Sequence, residues 1–82
     1  MPLQRTGQLR VETNMQSAIL VKNGSSVISK MVYSGGANLE DFMDSEIDRL
    51  EAKYPSYTFT LFSSDTDSEF ASAEIDTPVE II

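Results

Sequence analysis

The feature that most constrains the fold is a stripe of apolar residues in the middle of the chain. These residues recur at intervals of four, four, three and four positions, which is the spacing of one face of an α-helix: Leu39, Met43, Ile47, Leu50 and Tyr54. Asn38 stands where a helix N-cap is expected, and Pro55 disfavours helical geometry at the residue before it. The sequence therefore predicts one amphipathic helix from about residue 39 to residue 54.

On the N-terminal side of this helix the pattern changes to that of β-strands. Apolar and polar residues alternate over residues 9–13, and two β-rich runs flank Asn23-Gly24. Asn-Gly predicts a tight hairpin turn with positive φ at both positions. Whether residues 9–21 form one bent strand or two is left open by the pattern.

The period of two returns after Pro55. Tyr57, Phe59 and Leu61 share one face, and the residues at 71, 73 and 75 form a second alternating set. We expect these runs to pair as a hairpin with residues 63–69 as its loop. The predicted fold is α+β, with a small antiparallel sheet of about four strands in ββαββ order and one amphipathic helix packed on one face.

Length and composition set the domain organisation. The chain has 82 residues and is 40% hydrophobic, enough for one small core but not for two. We expect an N-terminal arm at residues 1–8, a single domain at residues 9–78 and an apolar tail at residues 79–82. A domain of this size is marginally stable, so a partner or a homodimer is a reasonable way to gain burial.

The charge is distributed unevenly along the chain. Residues 1–37 carry four basic residues and one acidic residue, a net charge of +3, whereas residues 38–82 carry two basic and twelve acidic residues, a net charge of −10. This distribution disfavours direct binding of nucleic acid and favours a basic protein partner. The alternative explanation is that net charge only keeps a small protein soluble.

The stretch SSDTDSEF, residues 63–70, places acids at every second position: Asp65, Asp67 and Glu69. Numbered as an EF-hand loop from Asp65, it has Phe70 at the sixth position, where the sharp turn requires glycine, so an EF-hand is excluded. A solvated hairpin loop is the preferred interpretation. A weak, adventitious divalent-ion site is the alternative, and no metal site is predicted.

A second row of acids lies on the predicted helix, opposite the apolar stripe: Glu40, Asp44, Asp48 and Glu51. With a rise of about 1.5 Å per residue, these carboxylates stand roughly 6 Å apart along an exposed ridge that resembles a row of phosphates. Such a ridge fits a basic groove on a nucleic-acid-binding protein. An ordinary charged outer face of an amphipathic helix is the plainer alternative.

Catalysis, cofactors and membranes find little support in the composition. The chain contains no histidine and no cysteine, so the usual general base at neutral pH and the usual zinc ligands are missing. The glycines at 35 and 36 match neither a phosphate loop nor a dinucleotide fingerprint. We therefore expect a protein that is not an enzyme, uses no cofactor, has no membrane segment and resides in the cytoplasm.

The functional hypothesis is a non-catalytic protein-interaction module, such as an inhibitor or adaptor, that presents an acidic surface to a basic partner. The seven acids of the helix and the loop are its candidate binding residues: Glu40, Asp44, Asp48, Glu51, Asp65, Asp67 and Glu69. The alternative is a structural or assembly protein that self-associates through a sheet edge or through its apolar tail.

Overall fold

The computed structural model describes residues 15–82. Its elements follow the order β1 (Met15–Asn23), β2 (Ser26–Gly35), α1 (Leu39–Lys53), β3 (Thr58–Phe62) and α2 (Ser68–Ser72). The predicted N-terminal arm and the predicted strand over residues 9–13 lie outside the described residues. Over these residues the fold is α+β, with a three-stranded antiparallel sheet in the order β2-β1-β3. The element order is thus ββαβ followed by the short helix α2, and not the predicted ββαββ.

Strands β1 and β2 form the predicted hairpin, but the turn is displaced by one residue. Asn23 pairs with Ser26 as the last residue of β1, which leaves Gly24 and Ser25 as the two turn residues. Gly24 has φ of 64°, and no other residue of the described chain has positive φ. Positive φ at the first turn position alone is typical of a type II′ turn, so the prediction of positive φ at Asn23 was wrong.

Helix α1 begins and ends where the sequence predicts. Leu39, Met43 and Leu50 of the apolar stripe are buried, and the amide of Tyr54 donates to Leu50 O at 2.8 Å before Pro55 ends the helix. Asn38 occupies the N-cap position, but its side chain makes no capping hydrogen bond. The burial of the stripe therefore positions this helix, and the cap contributes little.

Strand β1 is the central strand, and its alternate side chains enter two cores. Ile19 and Val21 pack beneath α1 with Phe59 of β3. Ala18 and Leu20 point to the opposite face, where they meet Phe70. Because both faces of β1 are covered, its sequence is a continuous apolar run and not an alternation.

The predicted fourth strand over residues 71–75 is replaced by α2 and an extended segment. The side chain of Asp67 accepts a hydrogen bond from the amide of Glu69 at 3.0 Å and so caps α2. Phe70, which is only 3% exposed, then packs against Phe62 with ring centroids 5.7 Å apart. Capping and burial of one aromatic ring thus outweigh the weak alternation of small residues that predicted a strand.

The C-terminal segment passes from one face of the sheet to the other along the outer edge of β2. The amides of Asp76 and Thr77 donate to Val27 O at 3.0 and 3.4 Å, and the amide of Val79 donates to Ile28 O at 3.0 Å. A register irregularity between residues 21 and 22 leaves Ile28 without a partner on β1. The segment therefore covers the part of the β2 edge next to the hairpin turn.

Beyond this crossing, Val79 and Ile81 pack against the core on the α1 face. The predicted apolar tail thus contacts its own domain. Within the described residues, no helix is both long and apolar enough to cross a membrane.

Candidate functional site

Helix α1 carries different side chains on its two flanks. Because a helix turns by about 100° per residue, four acids fall on the flank nearer to β3: Glu40, Asp44, Asp48 and Glu51. We call these four residues the acidic flank. All four are exposed, and Glu40 lines a groove together with Leu61 and Phe62 of β3. Glu40, Asp44 and Glu51 lie beside the apolar stripe, whereas Asp48 lies farther round, toward the outer face that the sequence predicted for all four.

The other flank of α1 faces β2 and is held by a hydrogen-bonded network. Arg49 donates to both carboxylate oxygens of Glu46, from Nε at 3.0 Å and from Nη2 at 2.8 Å. Tyr33 of β2 donates its hydroxyl to Glu46 Oε2 at 3.1 Å, and its ring lies 6.0 Å from that of Phe42. This flank is therefore bonded to the rest of the domain.

The network shifts the ionisation of its members. The hydrogen bonds from Arg49, more than any other cause, lower the pKa of Glu46. Burial first, and then the hydrogen bond to the Glu46 carboxylate, raise the pKa of Tyr33 to about 12. Glu46 thus remains ionised and Tyr33 remains a neutral donor across the physiological range.

Basic side chains on this flank hold the C-terminal segment. Arg49 Nη1 donates to the main-chain oxygen of Ile82 at 3.0 Å, and Lys53 Nζ donates to the same atom at 3.3 Å. The amide of Ile82 donates to the hydroxyl of Tyr54 at 3.1 Å. Both basic residues of α1 are therefore engaged away from the acidic flank.

The acidic flank has no neutralising partner within residues 15–82. The single ion pair in this part of the chain joins Arg49 to Glu46 at 2.8 Å, on the other flank. Four exposed carboxylates at helical spacing thus share one side of α1 with no cation within 4.0 Å. Solvent, dissolved ions or a partner that brings positive charge would relieve the repulsion among these four carboxylates.

The three acids of the loop have separate local roles. Asp67 caps α2 through its side chain, and Glu69 lies exposed in the first turn of that helix. The main-chain amide of Asp65 donates to Oε1 of Gln16 at 3.2 Å. Since Gln16 also lines the groove that contains Glu40, the loop and the start of the acidic flank lie at the same end of the sheet.

The described part of the chain contains no metal-binding geometry. Residues 15–82 contain no group of three acids placed to hold a metal ion. They also contain no buried side-chain nitrogen or oxygen atom without a hydrogen-bond partner.

A shallow apolar groove opens between α1 and the ends of β1 and β3. Its volume is about 410 Å³. We call it the α1–β3 groove, and three separate stretches of the chain line it: residues 15–17, residues 39, 40 and 43, and residues 61–63. Met15 and Leu61, which are 43% and 45% exposed, form its open apolar rim. The groove could not be predicted from the sequence, because no local pattern brings these three stretches together.

Strand β3 is the edge of the sheet that borders this groove. Ser17 Oγ donates to Phe62 O at 3.1 Å, so the main chain of Phe62 faces β1. Because main-chain groups alternate along a strand, those of Phe59 and Leu61 face away from the sheet. Within residues 15–82 these outward groups have no main-chain partner.

Comparison of the chain with models of protein families, with curated proteins and with solved structures found no match.

Proposed function

We propose that this chain is a non-catalytic protein-interaction module, acting as an inhibitor or adaptor, whose acidic flank binds a basic protein partner. The observation that carries this proposal is the asymmetry of α1. Its two cations bond to Glu46 and to Ile82 on one flank, while no basic group of residues 15–82 lies within 4.0 Å of the four acids on the other flank. A basic partner would remove the repulsion among these acids and bind faster at low ionic strength.

Nucleic-acid-binding proteins are one class of partner that suits this surface, because their basic grooves accept regularly spaced negative charges. The acids of the loop extend the charged surface at the end where Gln16 bridges the groove and the loop. The proposal places the protein in the cytoplasm and assigns it no cofactor, no metal, no membrane contact and no direct contact with nucleic acid.

The test is a pull-down from a lysate of the source cell with the purified protein as bait. The bound material is washed first at low and then at raised salt, and the retained proteins are identified. Two variants make it specific. The flank variant carries Glu40→Gln, Asp44→Asn and Glu51→Gln. The control variant carries Glu74→Gln, Asp76→Asn and Glu80→Gln, all outside α1. Both raise the formal net charge from −7 to −4 and differ only in where the acids are removed.

A partner that the wild type and the control variant retain at low salt, and that the flank variant loses, supports the proposal. Equal retention by both variants means that the acidic flank is not the binding surface. Retention that does not depend on salt excludes an electrostatic mechanism.

An assembly role through a sheet edge is the second candidate function, because the outer edge of β3 has no main-chain partner within residues 15–82. The tail is less suited to this role, since Val79 and Ile81 pack on the domain itself. Light scattering over a range of protein concentrations tests this candidate. A mass that stays that of the 9.1 kDa monomer argues against it.

A further inference from the structure

We propose that the partner adds an extended, lysine- or arginine-bearing strand to the outer edge of β3, with its side chains in the α1–β3 groove and under the acidic flank. This inference rests on the proposed function and specifies the chemistry and the docking mode of the partner.

The two edge strands of the sheet, β2 and β3, differ in how well they are protected against the addition of another strand. On β2, the C-terminal segment bonds to Val27 O and Ile28 O, and Lys30 lies in the adjoining stretch of the strand. Lysine on an edge strand and a covering segment are both devices that prevent strand addition. Strand β3, with the sequence TFTLF, has no charge, no proline and no register irregularity in its pairing with β1. These devices protect part of β2 and are absent along the whole of β3, so β3 is the better suited of the two edges to accept another strand.

The main chain of β3 defines how an added strand would bond. The amide and carbonyl groups of Phe59 and Leu61 point outward, while Phe62 faces β1. On the α1 side, the side chains of the added strand would lie beside Leu61, next to the rim of the groove. Main-chain hydrogen bonds would supply affinity, and the groove would select side chains.

The charge beside the edge selects the type of strand. Any side chain that points toward α1 from an added strand enters the space between Leu61 and the acidic flank. Lysine and arginine suit this position, because their aliphatic stems cover apolar surface while their charged ends reach carboxylates. An acidic strand would be repelled by the same four residues.

A second copy of the chain suits this edge poorly. If two β3 strands paired antiparallel across a twofold axis, both α1 helices would lie on the same face of the joined sheet, with their acidic flanks toward each other. Eight carboxylates would then face one another across the junction, an arrangement that opposes association. A basic strand from another protein meets no such repulsion.

The experiment measures amide hydrogen exchange of the full chain by NMR, without and with a short synthetic peptide of alternating lysine and valine. Without peptide, we expect the amides of Phe59 and Leu61 to exchange faster than that of Thr60, which faces β1. With saturating peptide, exchange at Phe59 and Leu61 should slow by about tenfold or more while Thr60 changes little. The flank variant should bind the peptide about tenfold more weakly than the control variant does.

Two further peptides separate strand addition from charge attraction alone. One peptide is methylated at the amides of its lysines and the other at the amides of its valines. Only one of these sets can face β3 in a paired strand, so one peptide should bind about as well as the parent and the other should lose most of its affinity. Equal binding by both methylated peptides overturns strand addition.

The remaining outcomes are also decisive. If the peptide binds through the acidic flank but exchange at Phe59 and Leu61 is unchanged, strand addition is wrong while the proposed function stands. If the flank and control variants bind the peptide equally, the acidic flank does not attract a basic strand. The inference and the proposed function then both fail, because both assign the attraction to this flank. Slow exchange at Phe59 and Leu61 without peptide overturns the inference. If exchange is slow at all protein concentrations, the chain covers its own β3 edge. If it is slow only at high concentration, two copies of the chain pair through this edge.

Discussion

At the scale of single residues, Tyr33 gives a prediction about pH. Its pKa of about 12 lies above the ordinary value of 10.0, so folding favours the neutral phenol. The contribution of this group to stability is complete below pH 10.0 and is lost as the pH rises toward 12. We expect a spectrophotometric titration of the folded protein to show a tyrosine step near 12 that is missing in Tyr33→Phe. A titration in which this substitution removes only a step near 10.0, with circular dichroism unchanged, would contradict the assignment.

Lys30 is predicted to stabilise the fold through contacts between β2 and the region of α2. Its Nζ donates to Ala73 O at 2.9 Å and lies 4.8 Å from the centroid of the Phe70 ring. These contacts join β2 to the end of α2, so Lys30→Met should lower the free energy of unfolding by about 1–2 kcal/mol. Chemical denaturation measures the change, and Lys22→Met is the matched control in the neighbouring strand. Equal losses in the two variants would show that the contacts of Lys30 add nothing.

At the scale of secondary-structure elements, the helix and the last predicted strand show what local patterns can establish. The bounds of α1 were predicted correctly because five apolar residues repeat at helical spacing and Pro55 follows them. The strand over residues 71–75 was wrong because its alternation depends mainly on alanine, which packs weakly in either structure. The burial of Phe70 against Phe62 is a contact between distant faces, and a local pattern does not contain it.

Two acids of the loop also differ in the contacts that they make, although their local pattern is the same. Asp65 and Asp67 belong to the same alternating row of acids in the sequence, but only the Asp67 side chain caps α2. Asp67→Ala should therefore cost about 1 kcal/mol of stability, and Asp65→Ala should stay within about 0.5 kcal/mol of the wild type. Thermal or chemical unfolding of the two variants measures this difference. Equal stability of the two variants would mean that the cap does not stabilise α2.

In the assembled domain, the features that could not be predicted from the sequence are those formed where separate segments of the chain meet. The acidic residues were selected as candidates from spacing alone, whereas their position on the flank beside β3 follows from which side of α1 contacts Tyr33 and Ile82. The α1–β3 groove needs three segments to be brought together. Spacing along one helix or one strand therefore predicts which residues share a face, and it does not predict what that face borders.

After the C-terminal segment crosses the edge of β2, its last residues differ in how deeply they are buried. Val79 and Ile81 pack against the core that Ile19 and Leu50 also form, whereas Ile82 is 67% exposed. Replacing Val79 and Ile81 together with alanine should lower the free energy of unfolding by about 2–3 kcal/mol, because both lose partly buried apolar surface. Ile82→Ala should change it by less than about 0.5 kcal/mol. Urea unfolding measures both variants. If the double variant keeps wild-type stability but shows a lower oligomer mass by light scattering, these residues serve association and not the core of their own domain.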